Sequence, residues 1–355
     1  MDISITPEDN AIAKRVFDLN EQQAETITRK RITDELSFFL GDLTNINDDA
    51  YLGSAQKFYS WLVKPLEKEL EGLGIDTLVY IMDEGLRNLP LAALHDGEQF
   101  LIEKYSLGTM PSVSLTDTSY QTLKEAQVLA MGTKDFPGAD LKPLNAVPLE
   151  LATIIGKTWP GKYFLDDEFT LENLRSQRSQ NRFDIVHLAT HAEFIPNSSN
   201  NARIYFRNQE NSEGVSLDGL RNVRWYNEAM VQLLTLSACQ TALGDRESEL
   251  GFAGLAIGAG VKSALASFWK VDDLATLALM SKFYEELRST DITVKAEALQ
   301  AAQLAMLRGE ITIKDGKLQG LQEEITLPQE LLEREEGDLS HPFYWSSFTM
   351  IGSPW

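Results

Sequence analysis

The chain has 355 residues, of which 43% are hydrophobic and 24% charged, which is ordinary for a globular protein. Its 32 basic and 53 acidic residues give a net charge of −21, which argues against nucleic acid as a partner because phosphates require a basic face. A single cysteine excludes an internal disulfide and a multi-cysteine metal site, so a reducing, cytoplasmic setting is expected. No signal peptide and no membrane-spanning segment are expected from the hydropathy pattern.

The N-terminal part of the chain is polar and carries no strand signal. Residues 1–45 are therefore predicted to form a helical arm or linker, and residues 46–355 one domain. That domain opens with a helix at about 54–72, in which Ala55, Phe58 and Leu62 recur at helical spacing.

Strand and helix patterns alternate over the rest of the chain. Short apolar runs predict strands at 77–82, 100–105, 106–110, 127–131, 183–191, 231–239, 262–269 and 348–351. Helical patterns occupy about 147–158, 171–179, 249–259, 273–288 and 293–308. Residues 195–215 are expected to be a loop around a small β segment at 204–206, and residues 309–340 to be irregular. The alternation predicts an α/β sandwich with a mostly parallel central sheet and helices on both faces.

Two of the predicted strands end in residues capable of covalent chemistry. His191 closes one apolar run, and Cys239, the only cysteine, closes another 48 residues later. Functional groups gather beyond the carboxyl ends of parallel strands, so the two side chains converge if their strands are neighbours. An imidazole that takes the thiol proton leaves a nucleophilic thiolate, which is the minimum for acyl transfer.

The same residues also have structural interpretations. A free cysteine is often a small buried hydrophobe, and a histidine at a strand end is often structural. His187, in the middle of its strand, is the better candidate for a structural histidine. If the site is catalytic, the backbone N–H groups of Ala192 and Cys239 are the candidates for binding the oxyanion.

Six stretches, taken in order, resemble the CHAT family of caspase-like cysteine peptidases, in the clan that includes caspases and separases. They are residues 83–94 (DEGLRNLPLAAL), 187–191 (HLATH), 236–244 (LSACQTALG), 251–256 (GFAGLA) with 258–260 (GAG), 267–273 (SFWKVDD) and 341–348 (HPFYWSSF). The resemblance runs from about residue 50 to the C-terminus, and several segments are similar to those of cyanobacterial members. It implies a caspase-like sandwich with His191 as general base and Cys239 as nucleophile. One departure is Ala192, where relatives often have glycine.

The segment from Trp269 to Asp273 is similar to the part of separases that supplies an acid to the pocket for the substrate residue before the cut. By this resemblance Asp273 is the pocket acid and Asp272 the second choice, and a buried carboxylate there favours Arg or Lys. The alternative is that either aspartate caps the helix at 273–288. Residues 343–345 are expected in the core, although aromatic side chains also line peptide grooves.

The sequence therefore predicts a cysteine endopeptidase that cleaves a protein or peptide substrate after Arg or Lys. The alternative is a peptidase-fold signalling or scaffold module with little activity unless a partner, such as a TPR sensor, gates it. No metal or other cofactor is expected, since no His, Cys and Asp cluster has ligand spacing. Neither nucleic acid nor a membrane is expected as a partner.

Overall fold

A computed structural model describes residues 29–82, 85–117, 119–193, 203–208, 210–216, 219–220, 223, 225, 230–237, 251–270, 272–332 and 338–355. It also gives the backbone of residues 2–5 and 11–14. None of the helices in these ranges is long and apolar enough to cross a membrane.

The regular elements follow the predicted alternation. The helices are α1 (Arg29–Leu43), α2 (Tyr51–Leu62), α3 (Glu67–Leu73), α4 (Leu101–Lys104), α5 (Val147–Thr153), α6 (Leu171–Gln180), α7 (Gly251–Gly258), α8 (Asp273–Arg288), α9 (Lys295–Leu307) and α10 (Pro342–Trp345). The strands are β1 (Asp2–Ile5), β2 (Ala11–Lys14), β3 (Thr77–Tyr80), β4 (Ser106–Thr109), β5 (Val128–Gly132), β6 (Gly161–Leu165), β7 (Ile185–Ala189), β8 (Ala192–Glu193), β9 (Arg203–Asn208), β10 (Asn211–Ser216), β11 (Leu233–Ser237), β12 (Ser263–Ser267), β13 (Thr312–Lys314), β14 (Lys317–Gln319), β15 (Ile325–Thr326) and β16 (Phe348–Gly352).

The central sheet has the strand order β2-β1-β3-β4-β16-β12-β11-β7-β5-β6. Strands β12, β11, β7, β5 and β6 are parallel to one another, and β16 runs antiparallel to β12. The carboxyl ends of the parallel strands therefore meet at one edge of the sheet, together with the beginning of β16.

Both faces of this sheet are covered, because successive strand residues point to opposite sides. Ile185 and Ala189 pack into a core formed with α2, α5, α8 and α9. Val186 and Leu188 pack into a second core that includes Leu174 of α6 and residues of α7. The predicted α/β sandwich with a mostly parallel sheet is confirmed.

The N-terminal segment differs from the helical arm predicted for residues 1–45. Helix α1 is present, and it is not detached, because Phe39 is fully buried with its ring centroid 5.9 Å from that of Phe58 in α2. Two strands, β1 and β2, also extend the sheet from β3. The polar and apolar alternation of residues 2–5 is the strand signal that the polar composition concealed.

Four further segments differ from the sequence-based expectations. Residues 101–104 form α4 instead of a strand, because the carboxylate of Glu103 accepts a hydrogen bond from the amide of Phe100 and caps the turn. Residues 203–216 form the β9–β10 hairpin rather than a loop around one β segment. Within 309–340, β13 and β14 are joined by Asp315 and Gly316, both with positive φ, the Asp-Gly turn typical of a hairpin. Strand β6 was missed altogether.

Gly132, at the end of β5, provides a test of how tightly the sheet packs against α5. A Cβ atom here would lie 2.5 Å from the Ala189 carbonyl oxygen and 2.8 Å from Cγ1 of Val147. We expect Gly132→Ala to lower the free energy of unfolding by about 1–3 kcal/mol, measured by urea denaturation, because neither neighbour can move freely. The control is Gly53→Ala in α2, where a Cβ meets nothing within 4 Å and stability should stay level or rise. Equal stability of wild type and Gly132→Ala would contradict this packing.

Candidate active site

The predicted nucleophile and base follow neighbouring strands. Strands β7 and β11 are adjacent and parallel, and their last paired residues are Ala189 and Ser237. His191 and Cys239 each come two residues after this pair in the sequence. His191 is described, whereas Cys239 lies outside the described residues, so the distance between thiol and imidazole is not part of the structure.

The imidazole of His191 has a defined orientation. It is 4% exposed, and its Nε2 lies 2.8 Å from the backbone oxygen of Lys142. Because a carbonyl oxygen only accepts, Nε2 carries the hydrogen of this bond, and Nδ1 holds the free lone pair of the neutral ring. The ring of Phe136 packs against the imidazole with centroids 4.6 Å apart. This arrangement resembles a base held by a third group.

Burial also sets the protonation of His191. It lowers the pKa of the imidazole below its ordinary value, and the nearby Lys270 adds to the shift. The Lys142 carbonyl and Glu193 act in the opposite direction and are outweighed. The ring is therefore neutral, and able to accept a proton, at lower pH than an exposed histidine.

The loop that holds His191 is residues 133–146, which we call the base loop. Its first turn is fixed by Asp166, whose Oδ1 accepts hydrogen bonds from Thr133 Oγ1 at 3.2 Å and from the amide of Lys134 at 2.9 Å. Its second half closes back on the first, since the amide of Leu144 donates to the carbonyl of Lys134 at 2.9 Å. The Lys142 carbonyl is thus presented by a loop tied at several points.

Ala192 is accommodated without backbone strain. It begins β8, pairs with Ile204 of β9 and is 7% exposed. Among the described non-glycine residues, only Asp166 and Asp315 have positive φ. A Cβ at position 192 is therefore tolerated. The predicted oxyanion role of the Ala192 and Cys239 amides stays a prediction, since Cys239 lies outside the described residues.

A pocket opens at the carboxyl edge of the sheet beside Thr190, the residue before His191. Thr190, Ser237 and Ser267 follow or end the strands β7, β11 and β12 and form its sheet side. The first turns of α5 and α8 form the other side, and Trp269 adds an aromatic wall. Two carboxylates, those of Glu150 and Asp273, line this otherwise largely apolar space.

The structure gives the two aspartates of α8 different roles. Asp272 is the N-cap, because its Oδ1 accepts hydrogen bonds from the amides of Leu274 and Ala275 at 3.1 and 3.0 Å. Asp273 lines the pocket, where its Oδ2 accepts a hydrogen bond from the amide of Ala146 at 2.8 Å. Burial raises the pKa of Asp273 to about 6, and the charges of Glu150 and Asp272 contribute in the same direction.

His187 lies in a buried hydrogen-bonded chain, as a structural histidine would. Its Nδ1 is 3.2 Å from the hydroxyl of Tyr284, which donates to Thr235 Oγ1 at 3.0 Å. Its Nε2 is 2.9 Å from Oε1 of Glu150, with both side chains at most 1% exposed. Although these two atoms are this close, neither has a hydrogen-bond partner of good geometry.

Two features of this site were missed in the sequence. The Lys142 carbonyl is a backbone group in an irregular loop, and every residue has such a group, so the residue type at this position gives no signal. Glu150 did leave a signal, since it shares a helical face with the buried residues Val147, Leu151 and Ile154. A carboxylate on an apolar helix face marks a buried functional or paired acid.

The aromatic segment 343–345 and the loop predicted at 195–215 were also candidates to line the site. Tyr344 and Trp345 are buried in the core, and Phe343 packs against Trp269, which supports the core interpretation of this segment. Residues 194–202, at the start of the predicted loop, are outside the described residues. Within the described ranges, no group of three or more His, Cys, Asp or Glu side chains is arranged to hold a metal ion.

Stability measurements should separate the cap from the pocket acid. We expect Asp272→Ala to lower the free energy of unfolding by about 1 kcal/mol, since two amides lose their acceptor. Asp273→Asn should raise the free energy of unfolding at pH 7.5 by at most about 3 kcal/mol. Because folding raises the pKa of this carboxyl to about 6, its ionisation destabilises the folded protein as pH rises from the pKa of the unfolded chain to about 6. The gain should shrink at pH 4, where native Asp273 is protonated. A gain independent of pH would contradict the raised pKa.

The comparisons with known proteins bear on this arrangement. Curated proteins yield no match. Among solved structures, the Arg-specific cysteine proteinase gingipain R is similar, with 12% identity, a TM-score of 0.48 and coverage of 92% of this chain and 76% of that one. A Saccharomyces cerevisiae separase–securin complex has 14% identity, a TM-score of 0.48 and coverage of 96% of this chain and 20% of that one. These likenesses assign no activity to this chain. The family model described as the CHAT domain matches residues 52–353, well over half of the sequence, and the chain therefore belongs to the CHAT domain family.

Proposed function

We propose that this chain is a cysteine endopeptidase that hydrolyses peptide bonds after Arg or Lys, with Cys239 as nucleophile and His191 as general base. The observation that carries the proposal is the register of β7 and β11. Because Ala189 is paired with Ser237, the two candidate residues follow equivalent points on neighbouring parallel strands. Membership of the CHAT domain family supports the same assignment.

The orientation of His191 defines the path of the proton in this proposal. Nδ1 of the neutral ring takes the proton of the Cys239 thiol, while Nε2 stays bound to the Lys142 carbonyl. The thiolate forms a bond with the carbonyl carbon of the substrate, and the imidazolium gives its proton to the leaving amine. Water, deprotonated by the same ring, then hydrolyses the thioester and releases the free thiol.

The pocket supports the proposed preference for a basic residue. It opens beside Thr190 and Ser237, next to the strand ends that precede the two candidate residues. Asp273 is partly buried there and accepts hydrogen bonds from the backbone of Ala146 and Asn145, and no basic side chain among the described residues forms an ion pair with it. A cationic substrate side chain would neutralise the carboxylate and replace part of its lost hydration.

The dyad is tested with fluorogenic peptides that end in Arg, Lys or Asp before the reporter. We expect cleavage of the Arg and Lys peptides, no measurable cleavage of the Asp peptide, and loss of at least about 10³-fold in kcat/KM for Cys239→Ala and His191→Ala. Ser176→Ala, at a partly exposed position of α6 outside the pocket, serves as the control and should keep full activity. Undiminished rates in Cys239→Ala, or equal rates for Arg and Asp, would overturn the proposal.

A labelling experiment addresses the alternative of a gated signalling module. Labelling of Cys239 by an electrophile that carries an arginyl group should occur with the chain alone. Labelling only after a partner protein is added would indicate a gated peptidase. A TPR protein or another sensor is the partner class that the family resemblance suggests.

The pocket acid is tested through pH dependence. For the Arg peptide, kcat/KM should fall as pH drops through about 6, since protonation of Asp273 removes the charge that binds the substrate. Alkylation of the thiol by iodoacetamide, which is uncharged, should lack this step and decline only at lower pH, because burial lowers the pKa of His191. Asp273→Asn should reduce kcat/KM for Arg and Lys peptides by about 10²-fold and leave alkylation unchanged. Identical pH midpoints for cleavage and alkylation would speak against Asp273.

A further inference from the structure

Glu150 is a second acid in the pocket, and the catalytic proposal does not use it. It lies on α5, is 1% exposed and lines the same space as Asp273. A carboxylate is seldom buried without partners that satisfy its oxygens. Among the described residues, its Oε1 has no hydrogen-bond partner.

The carboxylate of Glu150 is held beside the pocket by His187. Nε2 of His187 lies 2.9 Å from Oε1 of Glu150, and Nδ1 of the same ring lies 3.2 Å from the hydroxyl of Tyr284. The imidazole therefore fixes the position of this carboxylate.

The two pocket acids consequently differ in what they offer a ligand. Among the described residues, no basic side chain forms an ion pair with Asp273, which supplies negative charge. Glu150 supplies further acceptor oxygens, of which Oε1 has no hydrogen-bond partner of good geometry among the described residues. A guanidinium has five N–H donors in a flat fork, whereas an ammonium has three on one nitrogen. Satisfying a buried guanidinium requires more acceptors than a single carboxylate provides.

We propose that Glu150 is a specificity-determining residue, which selects arginine over lysine by accepting hydrogen bonds from the far side of a guanidinium whose charge is balanced by Asp273. This inference rests on the proposed function, since it assigns the pocket to the substrate residue before the cut. It separates the two tasks of the pocket: Asp273 selects for positive charge, and Glu150 selects for the shape and the donor number of the charged group.

The experiment compares matched peptides that differ only in Arg or Lys before the cut. Glu150→Gln should lower kcat/KM for the Arg peptide by about 10–100-fold and for the Lys peptide by less than about threefold, so that the Arg-to-Lys ratio falls at least tenfold. Asp273→Asn should lower both rates together and leave the ratio nearly unchanged. Equal losses for both peptides in Glu150→Gln, or an unchanged ratio, would overturn the proposal.

A matched control removes another buried carboxylate from the same region of the fold. Glu285 is 9% exposed on α8, twelve residues and about 18 Å along the helix from Asp273. Glu285→Gln should leave the Arg-to-Lys ratio at the wild-type value. If Glu150→Gln fails to fold, Glu150→Asp keeps the charge opposite His187 but withdraws the carboxylate by one methylene, and it should also lower the ratio.

Ligand affinity keeps this test separate from that of the peptidase activity. Calorimetry with wild type should show tighter binding of agmatine, which carries a guanidinium, than of cadaverine, which carries ammonium groups. Glu150→Gln should abolish that difference. If no peptide is cleaved but agmatine is preferred, the proposed function fails and the guanidinium site stands. If peptides are cleaved without an Arg preference, or agmatine is not preferred by wild type, this inference fails.

Discussion

The shared register of β5, β7 and β11 is the constraint on which the candidate site depends. Gly132, Ala189 and Ser237 lie in one row across the sheet, because Ala189 pairs with both of the others. The base loop, His191 and Cys239 follow from the three members of that row. A shift of one residue in the register of any of these strands would turn its side chains to the opposite face of the sheet, and the three residues would no longer be aligned. The close packing of Gly132 against Ala189 and Val147 is one means of holding the row in place.

Much of this row could be read from the sequence, because buried parallel strands are short continuous apolar runs that end where polar chemistry begins. The position of His191 at a strand end and the α/β alternation follow from that pattern. What the sequence does not contain is register, since hydrogen bonds between strands involve backbone groups that every residue shares. For the same reason the carbonyl that orients His191 came only from the structure. Asp272 and Asp273 are a second example of what residue type alone does not decide. Either aspartate could cap α8, and only their hydrogen bonds in the structure distinguish the cap from the pocket residue.

Burial of acids gives the pocket its electrostatic character. A chain with a net charge of −21 has many carboxylates, yet Glu150 is buried and Asp273 is partly buried in one largely apolar pocket. Burial raises the pKa of Asp273 to about 6, so the ionised carboxylate lowers the stability of the folded chain above that pH. Under the proposed function, a cationic substrate side chain would offset this cost, so stability and recognition are opposed at this residue. Glu150 is more deeply buried than Asp273 and lies against His187.

Ala146, whose amide donates to Asp273, is the last residue of the base loop, and Lys142, whose carbonyl binds His191, lies four residues before it. A short backbone segment therefore connects the pocket with the imidazole. Under the proposed function, a cation that pairs with Asp273 affects the position of the segment that orients His191. Recognition and chemistry in such an arrangement are mechanically linked, and a poorly matched side chain is penalised in turnover as well as in affinity.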